Sequence, residues 1–306
     1  MVNGVLLVDK PEGPTSHDVV AVARRALDTR RVGHTGTLDP FATGLLVLCV
    51  GPATRLAQYL TGLDKAYEAT ARLGLATDTL DDTGEVLAES EGWRDRTAAE
   101  IRAAFEAQQG ALDQRPPAYS AKKVGGKKAY ELARAGEAVE LEPVPVTIHE
   151  LDVLALDGPD VRFRMRCSSG TYVRAVARDA GETLGCGAHL TALRRTRVGP
   201  FDVESAVAFD ALQAAATAAG DGEGGDDEGG AADLRGDLEV ALLRPLEAMA
   251  HLPRLDLDAD QAGRVRHGQT LSVAAPVGVV ALAEGDELRA VAESDGRRVR
   301  PRKVFA

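Results

Sequence analysis

A short polar stretch, residues 33–40 (GHTGTLDP), carries the groups best suited to chemistry in this chain. It offers an imidazole from His34, two threonine hydroxyls and the carboxylate of Asp39. Two glycines and Pro40 make it a loop, because glycine tolerates positive φ and proline continues neither a helix nor a central strand. Polar residues on a loop beside a buried strand are a common place for binding and catalysis. The alternative interpretation is an ordinary connection in which Asp39 caps a turn.

The elements on either side of this loop would hold it in place. Before it, residues 16–27 favour a helix, in which Ser16 is a suitable N-cap and apolar residues repeat at helical spacing. After it, residues 45–50 (LLVLCV) form a continuous apolar run typical of a buried strand. A short strand over residues 5–9, closed by the turn-forming run KPEGP, precedes the helix.

Strands and helices alternate through the rest of the chain. The patterns predict helices at 53–60, 97–110, 172–184 and within 201–212, and a short helix ending near Gly136. They predict strands at 65–75, 143–156, 161–167, 188–198, 270–274, 278–283 and 288–292. The polar stretch 77–84 (TDTLDDTG) lacks the spacing of an EF-hand, and we interpret it as structural.

Three further side chains fall at positions suited to a site. Tyr67 lies near the start of the strand predicted for 65–75, and Tyr172 and Arg174 open the helix predicted for 172–184. A cation near the positive end of a helix is unfavourable by about 0.3–1 kcal/mol. We therefore expect an acidic group close to Arg174, unless that side chain is simply exposed to solvent.

Length and composition describe an ordinary globular protein. A chain of 306 residues has room for one large domain and a small one, and its apolar content of 44% is typical of such proteins. No apolar run approaches the roughly 20 residues that span a bilayer, and the first residues do not resemble a secretory signal. The three cysteines, Cys49, Cys167 and Cys186, are widely spaced and favour neither a disulfide framework nor a zinc site. We therefore expect a cytoplasmic protein.

The net charge of −11 argues on its own against a polyanionic partner, but the charge is uneven. Residues 221–237 hold seven acids and one base, a net −6 that leaves −5 for everything else. Basic clusters occur at 122–128, 194–197 and 297–303, and a nucleic-acid surface needs only such local patches. Solvated faces of an acidic protein are the alternative for each cluster. Residues 214–236 are rich in Ala, Gly and acids, and we expect a disordered insertion there.

With these residues in place, the chain resembles bacterial tRNA pseudouridine-55 synthases, the TruB family. The resemblance runs in consistent order from residue 2 to about residue 207, and ordered matches are far more specific than any one of them. They are NGVLLVDKP (3–11), GHTGTLDP (33–40), KAY (65–67), TDT (77–79), YSAK (119–122), GKKAYE (126–131), GTYVR (170–174), LGCGAH (184–189) and LRR (193–195). Thr37 and Phe41 are tolerable departures beside Asp39, and the acidic insertion is foreign to the family pattern.

The resemblance implies an α+β protein with the pseudouridine synthase fold, a mixed and mainly antiparallel sheet with flanking helices. A small C-terminal β-rich, PUA-like RNA-binding domain would follow, although this part of the chain matches the family less well. The implied boundaries are a catalytic domain over 1–213, the insertion over 214–236, a connecting segment over 237–250 and the PUA-like domain over 251–306. An RNA-contacting arm would occupy about 114–136 of the catalytic domain.

The resemblance also implies a reaction, the isomerisation of uridine 55 to pseudouridine in the TΨC loop of tRNA, without cofactor or metal. The enzyme would act as a monomer on the TΨC stem-loop, with no obligate protein partner and no membrane. Asp39 matches the catalytic nucleophile, and Tyr67 and Arg174 match its active-site companions. The substrate-binding set would comprise His34, Tyr67, Tyr172, Leu193, Lys122 and Lys127.

This chemistry suits the residue types. The glycosidic bond breaks, the uracil turns and a carbon–carbon bond forms, and one carboxylate can attack ribose C1′ or uracil C6, or stabilise charge on the sugar. Burial raises the pKa of a carboxyl group and a nearby guanidinium lowers it, so Arg174 is suited to keep Asp39 ionised. A phosphate contact is the alternative role for Arg174. His34 and Tyr172 offer planar surfaces for a base taken from its stack, and the Tyr67 hydroxyl offers a proton acceptor.

Two other functions are compatible with the same sequence. One is an RNA-binding or tRNA-folding protein whose catalysis is secondary or lost, although Asp39 is retained here. The other is the guide-RNA-dependent relative that works inside a ribonucleoprotein, and the bacterial-style segment 185–187 (GCG) argues against it.

Overall fold

A computed structural model describes residues 2–120, 122–124, 127–129, 141–219 and 228–305. The strands are β1 (Gly4–Lys10), β2 (Val32–His34), β3 (Thr43–Val50), β4 (Lys65–Leu73), β5 (Leu75–Thr77), β6 (Val86–Glu89), β7 (Gly110–Gln114), β8 (Lys123–Val124), β9 (Lys127–Lys128), β10 (Val144–Asp157), β11 (Asp160–Cys167), β12 (Ala188–Val198), β13 (Phe201–Asp202), β14 (Val207–Ala208), β15 (Arg254–Asp256), β16 (Gly278–Glu284), β17 (Glu287–Ser294) and β18 (Val299–Val304).

The helices include three short 3₁₀ segments, at Gly51–Leu56, Gly92–Asp95 and Val203–Ser205. The α-helices are α1 (Ser16–Ala26), α2 (Ala57–Thr61), α3 (Ala98–Glu106), α4 (Val173–Leu184), α5 (Phe209–Ala218), α6 (Glu228–Val240), α7 (Pro245–Ala248) and α8 (Ala259–Arg266). Within the described part of the chain, no helix is both long and apolar enough to span a membrane.

The chain divides into two compact units. The first comprises Met1–Pro40, Gly44–Thr61 and Gly199–Ala306, and the second comprises Phe41–Thr43 and Gly62–Val198. The first unit therefore combines segments that are distant in sequence, whereas the second is nearly continuous.

In the first unit, β1 and β3 form an antiparallel pair from Gly4↔Val50 to Lys10↔Gly44. Strand β2 pairs with β3, and β14 lies parallel to β1 on its other side. Helices α1 and α5 pack together over these strands. Buried side chains of the two helices and of β1, β2 and β3 form one core, since the apolar run of β3 is buried almost throughout, as the sequence predicts.

A four-stranded sheet, in the order β15-β16-β17-β18, also belongs to the first unit. Strand β15 runs parallel to β16, and the other pairs are antiparallel. Helix α8 covers it through buried Ala262 and Val265. The predicted β-rich character of this segment is confirmed.

In the second unit, the sheet runs in the order β12-β4-β11-β10-β7 and every pair is antiparallel. Strand β4 alternates strictly, so that one face carries buried Lys65, Tyr67, Ala69, Ala71 and Leu73. Helices α3 and α4 pack against each other, α3 against β10 and α4 against β12. The rings of Phe105 on α3 and Phe163 on β11 lie 5.2 Å apart.

Most predicted elements are present, and the start of α1 needs correction. Thr15, rather than Ser16, is the N-cap: its side chain accepts from the Asp18 N–H, and the Asp18 carboxylate accepts from the Thr15 N–H. Both residues are typical capping types, so the sequence alone does not choose between them. The correction matters because it releases the Ser16 hydroxyl for another partner.

Three further boundaries differ from prediction. The helix predicted for 97–110 begins after its Thr97 cap but ends at Glu106, and Gly110 starts β7 with a φ of 115°. The helix predicted for 53–60 begins as a 3₁₀ segment, with Pro52 in its first turn, before α2 follows. Residues 270–274 contribute only an isolated bridge from Leu271 to Val299.

The disorder predicted for residues 214–236 is wrong at both ends. Helix α5 continues to Ala218 with Ala215 and Ala216 buried, and α6 already begins at Glu228. Alanine has the strongest intrinsic helix propensity, and its small side chain lets helices approach closely, which composition-based reasoning undervalued. Residues 220–227 lie outside the described residues, as does the helix predicted to end near Gly136.

Candidate active site

The polar loop between β2 and β3 is fixed at the residue before Asp39. The Ser16 Oγ at the start of α1 accepts a hydrogen bond from the Leu38 N–H (2.8 Å) and donates one to the Leu38 carbonyl (3.0 Å). Both residues are buried, whereas Asp39 is partly exposed. The Asp39 carboxyl therefore extends from a backbone that is tied to a helix.

The loop is also fixed at the residue after Asp39. The Pro40 carbonyl accepts from the Gly13 N–H (2.9 Å) and from the Lys10 Nζ (3.2 Å). Lys10 is completely buried, and its Nζ also donates to the Pro11 carbonyl (2.7 Å). A buried ammonium needs such acceptors, so Lys10 helps to hold the loop at Pro40.

His34 is the last residue of β2 and is opposite Leu48 in the β2–β3 pairing. Its ring meets the exposed ring of His17, in the first turn of α1, edge to face at 5.3 Å and 84°. Edge-to-face contact is a favourable geometry for aromatic rings. The loop, α1 and β2 are thus joined at two places, Ser16–Leu38 and His17–His34.

In the second unit, Tyr67 lies on the buried face of β4, opposite Met165 of β11 and Arg195 of β12. Tyr67 and Arg195 are both buried. Leu193 is also buried, two residues before Arg195 on β12. Tyr67 and Leu193 thus stand on neighbouring strands of one sheet.

Arg174 is buried in the first turn of α4, and an acidic group lies close to it, as the helix position predicts. Its Nη1 lies 3.6 Å from the Asp81 carboxylate and donates to the Thr79 carbonyl at 2.6 Å. Its Nη2 donates to the Tyr119 carbonyl at 2.9 Å. The guanidinium thus contacts two different loops, and these contacts fix the orientation of its plane.

Asp81 is the residue that sequence reasoning missed. Its Oδ1 accepts from the Thr79 hydroxyl (2.7 Å), the Thr83 hydroxyl (2.6 Å) and the Thr83 N–H (3.1 Å). The residue before it, Leu80, has a φ of 64°, which turns the loop sharply. The sequence does contain a signal for this role. Thr79 and Thr83 lie two residues to either side of Asp81, and Arg174 is predicted to need an acidic partner.

Tyr172 is the residue before α4, and Gln114 holds its backbone from both sides. The Tyr172 N–H donates to the Gln114 Oε1 (2.8 Å), and the Gln114 Nε2 donates to the Tyr172 carbonyl (3.1 Å). Gln114 is buried at the end of β7. The start of α4 is therefore aligned by a side chain from the strand that leads into the predicted arm.

Two buried groups near the start of β4 have shifted pKa values. Burial, together with the neighbouring Arg195, lowers the pKa of the Lys65 ammonium to about 8, although its Nζ donates to the Leu63 carbonyl at 2.6 Å. Burial raises the pKa of the Cys167 thiol to about 11, and that of the Cys49 thiol in β3 to about 12. Both thiols are protonated at neutral pH, which makes them poor nucleophiles.

The predicted arm is described only in part. Lys122 donates from its Nζ to the Glu142 carbonyl (3.2 Å), and β8 pairs antiparallel with β9. The side chain of Lys127 and residues 130–136 lie outside the described residues. Of the other predicted site residues, Asp39 and His34 belong to the first unit and Tyr67, Arg174, Tyr172 and Leu193 to the second.

Comparison with protein families assigns the class. A family model described as "TruB family pseudouridylate synthase (N terminal domain)" matches residues 24–173, and one described as "tRNA pseudouridylate synthase B C-terminal domain" matches residues 174–250. The mixed sheet with flanking helices is thus that of a pseudouridylate synthase, an isomerase. The predicted fold class is confirmed.

Relatives identify the family within that class. The chain is 48% identical to tRNA pseudouridine synthase B of Aromatoleum aromaticum, across 92% of this chain and 84% of that protein. It is 46% identical to the protein of the same name from Thermobifida fusca, across 100% of this chain and 99% of that protein. The chain belongs to the TruB family, and the resemblance of its motifs to that family is confirmed.

A solved structure supports the same fold at lower identity. A chain of the H/ACA ribonucleoprotein bound to a substrate RNA containing 2′-deoxyuridine aligns with a TM-score of 0.72 and 26% identity. The alignment covers 99% of this chain and 85% of that chain.

Proposed function

We propose that this protein converts uridine 55 to pseudouridine in the TΨC loop of tRNA, with Asp39 as the nucleophile. The observation that carries the proposal is the fixed position of Asp39 on its loop in a chain of the TruB family. Leu38 is held by Ser16, and Pro40 is held by Gly13 and Lys10. A carboxylate held this way stays oriented for attack on the substrate. Holding the reacting groups in the correct geometry accounts for much of the rate enhancement of such a reaction.

The relatives support tRNA as the substrate, since proteins that match most of this chain carry that substrate in their names. The reaction itself balances without an added redox partner. The C1′–N1 bond breaks, the uracil rotates and a C1′–C5 bond forms; C5 then loses its proton to a base, and N1 takes up a proton, so the product is an isomer of the substrate.

Arg174 and Tyr67 are proposed as the companions of Asp39. The buried Arg174 guanidinium is pinned by Asp81 and two carbonyls, so it offers a fixed positive charge to an anionic group. The Tyr67 hydroxyl, on a buried strand face, is proposed as the proton acceptor or relay.

The remaining residues are proposed to hold the RNA. The target base must leave its stack, at a cost of a few kcal/mol, before the enzyme can reach it. His34 would occupy the vacated position, braced by the His17 ring, while Tyr172 and Leu193 line the nucleotide pocket. Lys122 and Lys127 would contact the phosphate backbone, and the exposed arginines beside and within β18 are further candidates for phosphate contacts.

The decisive experiment uses the purified protein with unmodified tRNA and no other macromolecule, followed by mapping of pseudouridine. We expect pseudouridine at position 55 only. The structural similarity to a chain of an H/ACA ribonucleoprotein suggests a second candidate, a guide-dependent enzyme. Product that appears only after addition of guide RNA or partner proteins would favour that candidate, and tRNA binding without any product would favour a folding role.

A further inference from the structure

The Ser16 side chain makes a pair of hydrogen bonds beside the proposed nucleophile. Its Oγ accepts from the Leu38 N–H at 2.8 Å and donates to the Leu38 carbonyl at 3.0 Å, across 22 residues of sequence. Ser16 is 1% exposed and Leu38 is 3% exposed. One hydroxyl thus satisfies both backbone polar groups of the residue immediately before Asp39.

Strand pairing does not supply these bonds. Leu38 lies after β2 ends at His34 and before β3 begins at Thr43, so among the described strands neither ladder reaches it. Buried backbone groups without a partner are costly, by about 1–3 kcal/mol each. The hydroxyl therefore determines which conformation this part of the loop can adopt.

The loop is bonded to helix α1, which is itself held firmly in place. Thr15 and Asp18 cap α1, which leaves the Ser16 hydroxyl available for Leu38. Helix α1 itself is fixed by buried Val19, Val20 and Ala23 in the core of the first unit. Because Leu38 is bonded to α1 and α1 packs into the core, the core holds the Leu38–Asp39 peptide in position.

We propose that Ser16 is a positioning residue for Asp39, acting through both polar groups of the Leu38 backbone. The inference rests on the proposed function, because it assumes that Asp39 is the nucleophile. Only a side chain that both donates and accepts at this reach can replace serine. Loss of the pair lets Asp39 sample non-productive positions while the RNA-binding surface stays intact.

The test compares Ser16→Ala and Ser16→Cys with a matched control. The thiol of Ser16→Cys fills nearly the same space but hydrogen-bonds weakly, so this variant remains informative if Ser16→Ala fails to fold. Ser294→Ala is the control, since the Ser294 Oγ makes a similar pair of bonds in the C-terminal sheet, from the Gly296 N–H (3.1 Å) and to the Ala275 carbonyl (3.4 Å). Single-turnover rate, tRNA affinity and thermal unfolding are measured for each.

We expect both Ser16 variants to lose about tenfold to hundredfold in single-turnover rate, as misplacement of a reacting group predicts, with unchanged tRNA affinity. Ser294→Ala, although destabilised, should retain the wild-type rate. A folded Ser16→Ala or Ser16→Cys that reacts at the wild-type rate overturns the inference, as does an equal rate loss in Ser294→Ala. A wild-type protein that forms no pseudouridine overturns the proposed function and the inference with it.

Discussion

At the scale of single residues, two carboxylates have separate tasks. Asp39 stands on a loop held at both neighbouring residues, and Asp81 lies in a buried cluster with Arg174. The first is proposed for chemistry and the second for keeping a guanidinium in place. Their substitutions should therefore fail in different ways.

Asp39→Asn should abolish isomerisation, because the amide is a far weaker nucleophile of nearly the same shape. Binding of unmodified tRNA should persist, and the two properties are measured by pseudouridine mapping and by a direct binding titration. The exposed Asp157 provides a control as Asp157→Asn. Appreciable turnover by Asp39→Asn would contradict the nucleophile role.

Asp81→Asn should lower both stability and rate. The amide retains the Oδ1 acceptor for Thr79 and Thr83 but removes the charge that faces the buried Arg174. Loss of one partner of a buried ion pair costs about 3 kcal/mol or more. Urea unfolding measures the stability, and single-turnover kinetics measures the rate.

The control for Asp81 is an exposed pair. Asp160→Asn removes the negative charge that faces Arg72, with which Asp160 makes two hydrogen bonds of 2.8 Å. The Arg72 side chain is 48% exposed, and exposed pairs contribute only about 0–1 kcal/mol. Equal losses in the two variants would show that burial of the Asp81–Arg174 pair has no special weight.

Lys65 should make stability depend on pH in the alkaline range. Its folded-state pKa of about 8 lies below the usual 10.5, so between these values the unfolded chain binds more protons than the native one. Stability contributed by this site therefore rises with pH through that window, and the full cost of burying the cation is present below it. The unfolding free energy of the wild type relative to Lys65→Met should increase from pH 7 to pH 10, and a flat difference would exclude this titration.

At the scale of elements, the last strand is tied to the 3₁₀ segment after β3. The Arg55 Nη1 donates to the Val304 carbonyl (2.6 Å), and its guanidinium lies 5.2 Å from the centre of the buried Phe305 ring. Both contacts belong to the first unit. Arg55 therefore anchors the end of β18 to a segment outside its own sheet.

Arg55→Ala should loosen β18 without unfolding the protein. A charge-assisted hydrogen bond and an exposed cation–π contact together contribute about 2 kcal/mol. Hydrogen exchange should therefore accelerate in Val299–Val304 and stay unchanged in β4. Arg94→Ala removes a similar contact with the Trp93 ring (4.9 Å) and should leave β18 protected. Unaltered exchange in Arg55→Ala would show that β18 is held by its own sheet alone.

Element types were largely predictable because they follow local patterns. The buried run of β3 and the alternation of β4 are both visible in the sequence. Boundaries were less predictable where two residues compete for one role, as Thr15 and Ser16 do at the start of α1. The helical ends of the predicted insertion were missed because Ala215 and Ala216 are buried by contacts that composition does not encode.

At the scale of the whole molecule, the surface arginines differ in whether an acidic side chain neutralises them. On the exposed face of β4, β10 and β11, arginines are neutralised by acids on neighbouring strands at 2.8–3.7 Å: Arg72 by Asp160, Arg162 by Glu68, Arg164 by Asp152 and Arg166 by Glu150. Arginines beside and within β18 are exposed, and they include Arg297, Arg298 and Arg300. The second group is better suited to phosphates.

Replacing Arg298 and Arg300 together by Ala should weaken tRNA binding and flatten its salt dependence. Removal of one phosphate contact reduces the slope of log K against log salt by about 0.9. Arg162→Ala, which removes an arginine paired with Glu68, should leave the slope unchanged. Binding titrations over a range of salt concentrations measure both. An unchanged slope in the double variant would exclude phosphate contacts from this edge.

The sequence proposes candidate site residues but does not predict the contacts that support them. The order of the motifs proposes Asp39 and Arg174 as site residues, because both lie in motifs that resemble those of the family. The hydroxyl of Ser16 and the carboxylate of Asp81 act over 22 and 93 residues of sequence, on Leu38 and Arg174. Contacts of that range depend on tertiary packing, which local patterns do not contain.

The parallel pairing of β14 with β1 has a consequence for how the protein is made. Strand β1 can pair with β3 early in synthesis, but its other edge waits for about 200 further residues, because Val8 pairs with Val207. At roughly 5–20 residues per second, this takes about 10–40 s. The nearly continuous second unit emerges complete within that interval, whereas the core around Leu6 and Val8 still lacks α5, which follows β14. The unit that contains the first residues synthesised is therefore completed after the second unit, which gives nascent-chain chaperones longer access to it.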